Sequence, residues 1–235
     1  MGAVTGAGAV GPGPFFTVRT GPGEPRAEGF VPLAQVYSGR PSPALTGRVA
    51  EVGRRLRTSE RRVAASLAHQ GLAARLWSVA LGPAALTGRI PDLSGGRLWW
   101  HPGRSTPDEL WLPDDAPDVP AGRLREDVLH GHLVPLCAAV HAVSGVAPGL
   151  LWGNAASALA GTLRVLYSWC LGEGARPDAA ARAVALTEEL MTDPLLRDAG
   201  DLRLTGAGAP AYTRRSCCLY YRVPGGGLCG DCALR

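Results

Sequence analysis

Four of the chain's six cysteines fall within its last nineteen residues, as Cys217, Cys218, Cys229 and Cys232. The order is an adjacent pair, ten residues, then C-x-x-C. Four thiolates within sixteen residues make a complete ligand set for a metal centre. The same cysteines cannot form a disulfide scaffold of the usual kind, because 235 residues are too many for so few. A segment this short builds no core of its own, so it must fold on a metal and on whatever lies beneath it. A tetrahedral all-thiolate site suits zinc or iron–sulfur. Structural zinc prefers two separated clamps, whereas a two-iron centre spreads its terminal ligands over two metals and tolerates neighbours that point apart. On spacing alone iron–sulfur, zinc and a disulfide or redox dithiol all stay open. Gly225, Gly226, Gly227 and Gly230 surround the ligands and are expected to let backbone N–H groups approach sulfur.

The rest of the chain reads as mainly α (α+β): a helical body with a small β-hairpin, ending in the cysteine-rich cluster-binding tail. Residues 1–29 hold eight glycines and four prolines and are expected to form a flexible lead-in. Helices are predicted over Leu45–Arg57 and from Ser59 to Leu81, the second capped by Thr58 with Glu60 in its first turn. On it, Val63, Leu67, Gly71, Ala74, Ser78 and Leu81 recur at three or four residues and predict one buried stripe. Gly71 and Ala74 would let another helix approach closely. Residues 96–113 place GRLWWHP and ELWLP on either side of a turn-prone stretch, which predicts the hairpin. Further helices are predicted over Gly122–Ser144, Pro148–Leu171 and Pro177–Thr192, the last stopped by Asp193-Pro194. The domain reading is lead-in 1–29, body 30–204 and cluster-binding segment 205–235.

Several function classes drop out. All 24 basic residues are arginine, but against 20 acidic ones the net charge is only +4, too weak to argue for nucleic acid. The first residues have no basic n-region and no continuous apolar h-region, so no secretory signal is read and the expected address is cytoplasmic. From Leu133 to Leu163 there is no formal charge, yet prolines and glycines split this run into two core helices rather than one membrane span. His130, His132 and His141 do not make a rival metal site. On one helix the first two point roughly 200° apart, and His141 lies about 16 Å from His130. Cys137 and Cys170 sit in apolar runs and read as small core residues. No P-loop, nucleophile elbow or dinucleotide fingerprint is present.

The tail, with RRS before its first cysteine and LYYR-x-PGG inside the loop, resembles the C-terminal signature of the FhuF-like ferric siderophore reductases. ERRVAASLAHQGLAARLWSVAL at 60–81 and LLWGNAASALAGTLRVL at 150–166 are similar to that family's helical domain. The resemblance covers the chain from about Phe15. It implies a 2Fe-2S cluster on Cys217, Cys218, Cys229 and Cys232. It also implies an iron–sulfur oxidoreductase that passes one electron to siderophore-bound ferric iron in the cytoplasm. The implied partners are a ferric siderophore of hydroxamate or catecholate type, an electron donor such as a ferredoxin or flavin reductase, and transient contact with an inner-membrane uptake system.

Arg214, Arg215 and Arg222 lie beside the ligand cysteines. Each is expected to raise the cluster's potential, attract an anionic chelator or tie the tail to the body. Arg75, Trp77, Trp152 and Asn154 are the candidates for docking substrate, set against the commoner role of a buried Trp or Asn in the core. Two other readings compete with reduction. One is a helical binding or scaffold protein stapled by zinc; the other is a siderophore-binding assembly protein that makes no redox use of its tail.

Overall fold

The computed structural model describes residues 11–38, 42–94, 96–206 and 208–235. Seven α-helices are described: α1 (Leu33–Val36), α2 (Pro43–Arg55), α3 (Arg61–Thr87), α4 (Val134–Ser144), α5 (Pro148–Leu171), α6 (Pro177–Met191) and α7 (Pro194–Arg197). Eight short strands join them: β1 (Arg19–Gly21), β2 (Val31–Pro32), β3 (Arg89–Pro91), β4 (Trp99–Trp100), β5 (Leu110–Pro113), β6 (Asp118–Pro120), β7 (Gly200–Leu204) and β8 (Pro210–Arg214). The protein is mainly α with small sheets, as the hydrophobic periodicity predicts.

The centre is α3 packed against α5. Their facing residues are small or branched, and the polar atoms they bury find partners across the seam. Trp77, fully buried on α3, donates its indole N–H to the Ala155 carbonyl of α5 at 3.1 Å, and Ser78 meets Thr162 at 3.1 Å. The predicted single stripe is too narrow for this helix. Ala64, Ala65, Ala68, Leu72, Ala73 and Leu76 are buried as well, while Leu67 and Ala74 are half-buried and Gly71 faces solvent. Nothing approaches the place of a Cβ at Gly71. The close approach on α3 is at Gly82 instead, where a Cβ would strike the Phe16 ring. The helix also runs past its predicted end, through Pro83 to Thr87, whose hydroxyl donates to the Pro83 carbonyl at 2.9 Å. Its N-cap is Glu60, and the Thr58 hydroxyl accepts from the Glu60 N–H at 3.2 Å.

The stretch predicted as one helix over Gly122–Ser144 starts as a 3-10 turn, widens into a π-helix over Arg125–Leu133 and becomes α4 only at Val134. Pro135, at the junction, has no N–H for the Gly131 carbonyl and its ring would crowd that carbonyl in an α-turn. The hairpin forms as predicted, with Trp99 opposite Trp111 and Trp100 opposite Leu110. It lies inside a four-stranded sheet ordered β1-β5-β4-β2, whose outer strand β1 runs parallel to β5.

That outer strand corrects the reading of the lead-in. Residues 1–10 lie outside the described residues, but from Pro14 onwards the segment is anchored rather than loose. Phe16 seats on Gly82, β1 adds to the sheet, and Arg75 donates to the Phe15 and Thr17 carbonyls. Proline and glycine here shape a fixed path over the helices. A second hairpin, β7–β8, pairs Gly200–Leu204 with Pro210–Arg214 and delivers the chain directly into the cysteine segment. No described helix is long and apolar enough to cross a membrane.

Candidate metal centre

The cysteine segment has little regular structure, so what positions it is its attachment to α3 and α5. Both ends are pinned. At the front, Arg214 is 1 % exposed. Its Nε donates to the Ser216 carbonyl at 2.6 Å and its Nη2 to Asn154 Oδ1 at 2.6 Å. Asn154 in turn donates through Nδ2 to the Ser66 carbonyl and hydroxyl, and the Ser66 hydroxyl donates to the Cys218 carbonyl at 2.8 Å. A Cβ at Gly153 would collide with Ser216 Oγ, so only glycine on α5 lets the tail lie this close. At the back, Asp231 stands between Cys229 and Cys232 but turns its carboxylate into the body. It accepts from Ser157 Oγ at 2.6 Å and pairs with Arg164 at 2.8 Å. The Arg214 backbone N–H donates to the Asp231 carbonyl at 3.1 Å, which ties front to back.

The donor set follows from this frame. Leu219 takes a left-handed turn (φ 68°), a conformation that costs an L-residue about 1–2 kcal/mol. It brings the Leu219 N–H to Cys217 Sγ at 3.3 Å; the Leu234 N–H likewise reaches Cys232 Sγ at 3.4 Å. These donors replace the expected glycine N–H groups. Each sits two residues after its cysteine, and Gly225 serves the loop's turn (φ 75°) instead. Burial pushes the Cys218 thiol up to about 11. A Tyr220 N–H pulls the other way, and the Cys229 thiol beside it adds to the rise. Cys217 and Cys229 are half-exposed, Cys218 and Cys232 buried.

All four candidate ligands are thiols, soft donors of the kind an iron–sulfur group takes, and Cys218 and Cys229 bring the two halves of the loop side by side. The surroundings suit it. Two sulfurs accept backbone N–H groups, and Arg214 Nη1 is a buried cationic donor with no partner among the described residues. The chemistry of the donor set therefore fits a 2Fe-2S group.

The other candidates separate. Arg75 is 2 % exposed and held by Glu109 at 2.5 Å, and Trp77 is fully buried, so neither lines an open cleft. Trp152 is half-buried against the core, and Asn154 is a fully buried link in the network above. Arg215 and Arg222 are exposed and pair with Asp201 and Glu60, each at 2.8 Å. Of the three tail arginines, only Arg214 enters the site. Ser66, Ser157, Arg164 and Asp231 were not singled out by sequence. The one available signal was Asp231, a lone acid between two cysteines in an otherwise basic tail.

An open cavity of about 450 Å³ lies beside Cys229, between α3, α5 and the anchored lead-in. Its wall includes Phe15, Phe16, Gln70, Ala158, Gly161 and Val165, with the Arg164–Asp231 pair at its edge.

Behind the front pin, His69 is 1 % exposed, with Nε2 3.3 Å from Cys137 Sγ. Burial, reinforced by the Arg214 charge, holds its imidazole down to about 3, and burial pushes the Cys137 thiol up to about 12. The pair is a neutral part of the core, and Cys170 is fully buried. His132 is buried against the Leu93 carbonyl, while His130 turns outward towards Asp193, so these two do not converge. Because the His69 value lies below that of an unfolded histidine, about 6.5, its contribution to stability is complete above that pH and is lost as pH falls towards 3. His69→Leu should flatten the loss of stability between about pH 6 and pH 4 by up to about 1.4 kcal/mol per pH unit. Denaturant midpoints against pH will read this; an unchanged slope would remove His69 as the cause.

Comparison with known proteins bears on the tail. The family model described as FhuF 2Fe-2S C-terminal domain matches residues 214–234. The match begins at the buried Arg214 and takes in all four cysteines. The cofactor is a 2Fe-2S cluster. No curated protein matches the chain.

Proposed function

With a FhuF 2Fe-2S C-terminal domain as the premise, we propose that the protein is a ferric-siderophore reductase, its cluster held by Cys217, Cys218, Cys229 and Cys232. The observation that carries this reading is the cavity, which opens beside Cys229. When bound, the cluster supplies one electron at a time.

The chain's own residues do the rest. Phe15, Phe16, Ala158 and Val165 offer the chelate an apolar wall, while Gln70 and Ser157 offer hydrogen bonds. Arg164 is paired with Asp231, so the cavity edge carries little net charge and is not built around a strongly anionic guest. Hard oxygen ligands hold Fe(III) tightly. One added electron turns it into Fe(II), lowers its charge and loosens those bonds, so the metal leaves and the chelator survives. Buried Arg214, in the frame between the two cysteine pairs, favours the form with the extra electron.

The test is a single turnover. Protein reduced under anaerobic conditions and mixed with a ferric trihydroxamate should release one ferrous ion per cluster, trapped by a colorimetric chelator. No ferrous iron would sink the reading. Gly161→Phe fills the cavity from the exposed side of α5. It should raise KM for the chelate by about tenfold, the loss of one to two kcal/mol of binding, with the cluster's absorption spectrum unchanged. An unchanged KM would move the docking site elsewhere.

A further inference from the structure

Nine large apolar side chains are exposed among the described residues, and four of them lie in the last sixteen: Tyr220, Tyr221, Leu228 and Leu234. Exposed apolar residues normally scatter over a surface. Here each is within three residues of a candidate ligand cysteine. None of the four lines the cavity beside Cys229, so they form a separate feature of the tail.

Their neighbours are basic. Tyr220–Arg222 form one 3-10 turn, which Arg222 ties to Glu60 at the N-cap of α3. The exposed Arg57, Arg61 and Arg62 flank that residue. In the stretches 57–62 and 214–235 the only acids are Glu60, engaged by Arg222, and Asp231, buried in the body. The Tyr220–Tyr221 turn thus presents an aromatic surface rimmed by arginine, three and four residues after the half-exposed Cys217 in the chain. Leu228 and Leu234 add exposed apolar area elsewhere in the same tail. Protein contacts favour aromatic side chains and arginine, and a charged rim sets the rate of encounter.

We propose that this face docks an acidic one-electron carrier protein, which supplies the cluster while the chelate occupies the separate cavity. The inference rests on the reductase reading. A reductase must be refilled, and the sequence holds no nicotinamide or flavin motif of its own. In the step, one electron leaves the reduced carrier, which is oxidised by one equivalent, and enters the bound group; no atom or proton is transferred. Positive charge attracts an acidic carrier, and the tyrosines and leucines give it a dry contact once it arrives. Having two faces means that carrier and chelate need not take turns.

The probe is a reduced acidic plant-type ferredoxin mixed in stopped flow with the oxidised holoprotein, followed at the cluster's absorption. The wild-type rate should fall steeply as salt is added. Arg61→Glu/Arg62→Glu and, separately, Tyr221→Ser should each slow uptake at low ionic strength, the charge reversal by at least about tenfold. Ferrous release from chemically pre-reduced variants should stay at the wild-type level. Uptake that ignores both salt and these substitutions would overturn the proposal. So would unchanged uptake in variants that have lost sedimentation with phosphatidylglycerol vesicles, since the face would then belong to a lipid surface. If pre-reduced wild type releases no ferrous iron, the reductase reading fails instead, and that result is read in a separate assay.

Discussion

The Cys229→Ser protein is expected to purify colourless or nearly so, with iron content below about a tenth of wild type and no ferrous release from a ferric hydroxamate. Serine keeps the shape of the side chain, but its smaller oxygen is a hard donor that does not ionise near neutral pH, whereas iron–sulfur centres take soft thiolate. Cys229 is also the member of the set that touches its opposite half, beside Cys218, and borders the cavity. On the proposed reading, removing it breaks the ligand set at the residue that also lines the cavity. The helical body should survive. α3 and α5 meet through Trp77, Ala155, Ser78 and Thr162, none of which depends on the tail, so far-ultraviolet circular dichroism should change little. Cys170→Ala is the control. That thiol is fully buried on α5 away from the loop, and its loss should leave colour and iron intact. A Cys229→Ser protein with wild-type iron and spectrum would remove this residue from the ligand set.

Glu109→Ala should lower stability by about 3–5 kcal/mol, which for a chain of this size is a drop in Tm of roughly 6–20 °C. Arg75 and Glu109 are 2 % and 4 % exposed at the side chain and 2.5 Å apart. Deleting the carboxylate leaves a guanidinium in the core with carbonyls alone for company, and an uncompensated buried charge is among the costliest single defects. The damage should reach function as well. Arg75 holds the Phe15 and Thr17 carbonyls, and Phe15 and Phe16 form one wall of the cavity, so KM for the chelate should rise in the same variant. Replacing both partners by apolar residues of similar size, Arg75→Met with Glu109→Leu, should recover most of the stability. A change in Tm of under about 2 °C for Glu109→Ala would show the pair to be dispensable.

Arg75 shows what a sequence can and cannot disclose. Its basic side chain beside Trp77 suggests a ligand cleft, because nothing local reveals that Glu109, thirty-four residues later in a turn-prone segment, comes to meet it. The same holds for Ser66, Asn154 and Arg214. They form one hydrogen-bonded chain, but only after α3 and α5 have packed; before that, Ser66 is an ordinary helix residue. What sequence did disclose rests on local physics. Proline at the first turns of α5 and α6, the paired aromatic runs of β4 and β5 and the cysteine spacing all act within a few residues of themselves. The lead-in lies between these cases. Glycine and proline mark it as irregular, but irregular backbone is not thereby loose. Its anchors, a phenylalanine on Gly82 and two carbonyls on Arg75, lie outside the segment.

The two pins on the cysteine loop, Arg214 with Asn154 at one end and Asp231 with Ser157 and Arg164 at the other, bear on how fast electrons can move. Electron transfer waits for nuclei to reach positions that suit both charge states, so a site that shifts on reduction is slow. A loop held at both ends to the same rigid helix has little room to shift, and two of its sulfurs already accept backbone N–H groups before any charge is added. The tail's lack of regular structure is therefore no sign of softness, and its reorganisation energy should be set by the metal–sulfur bonds more than by the chain around them.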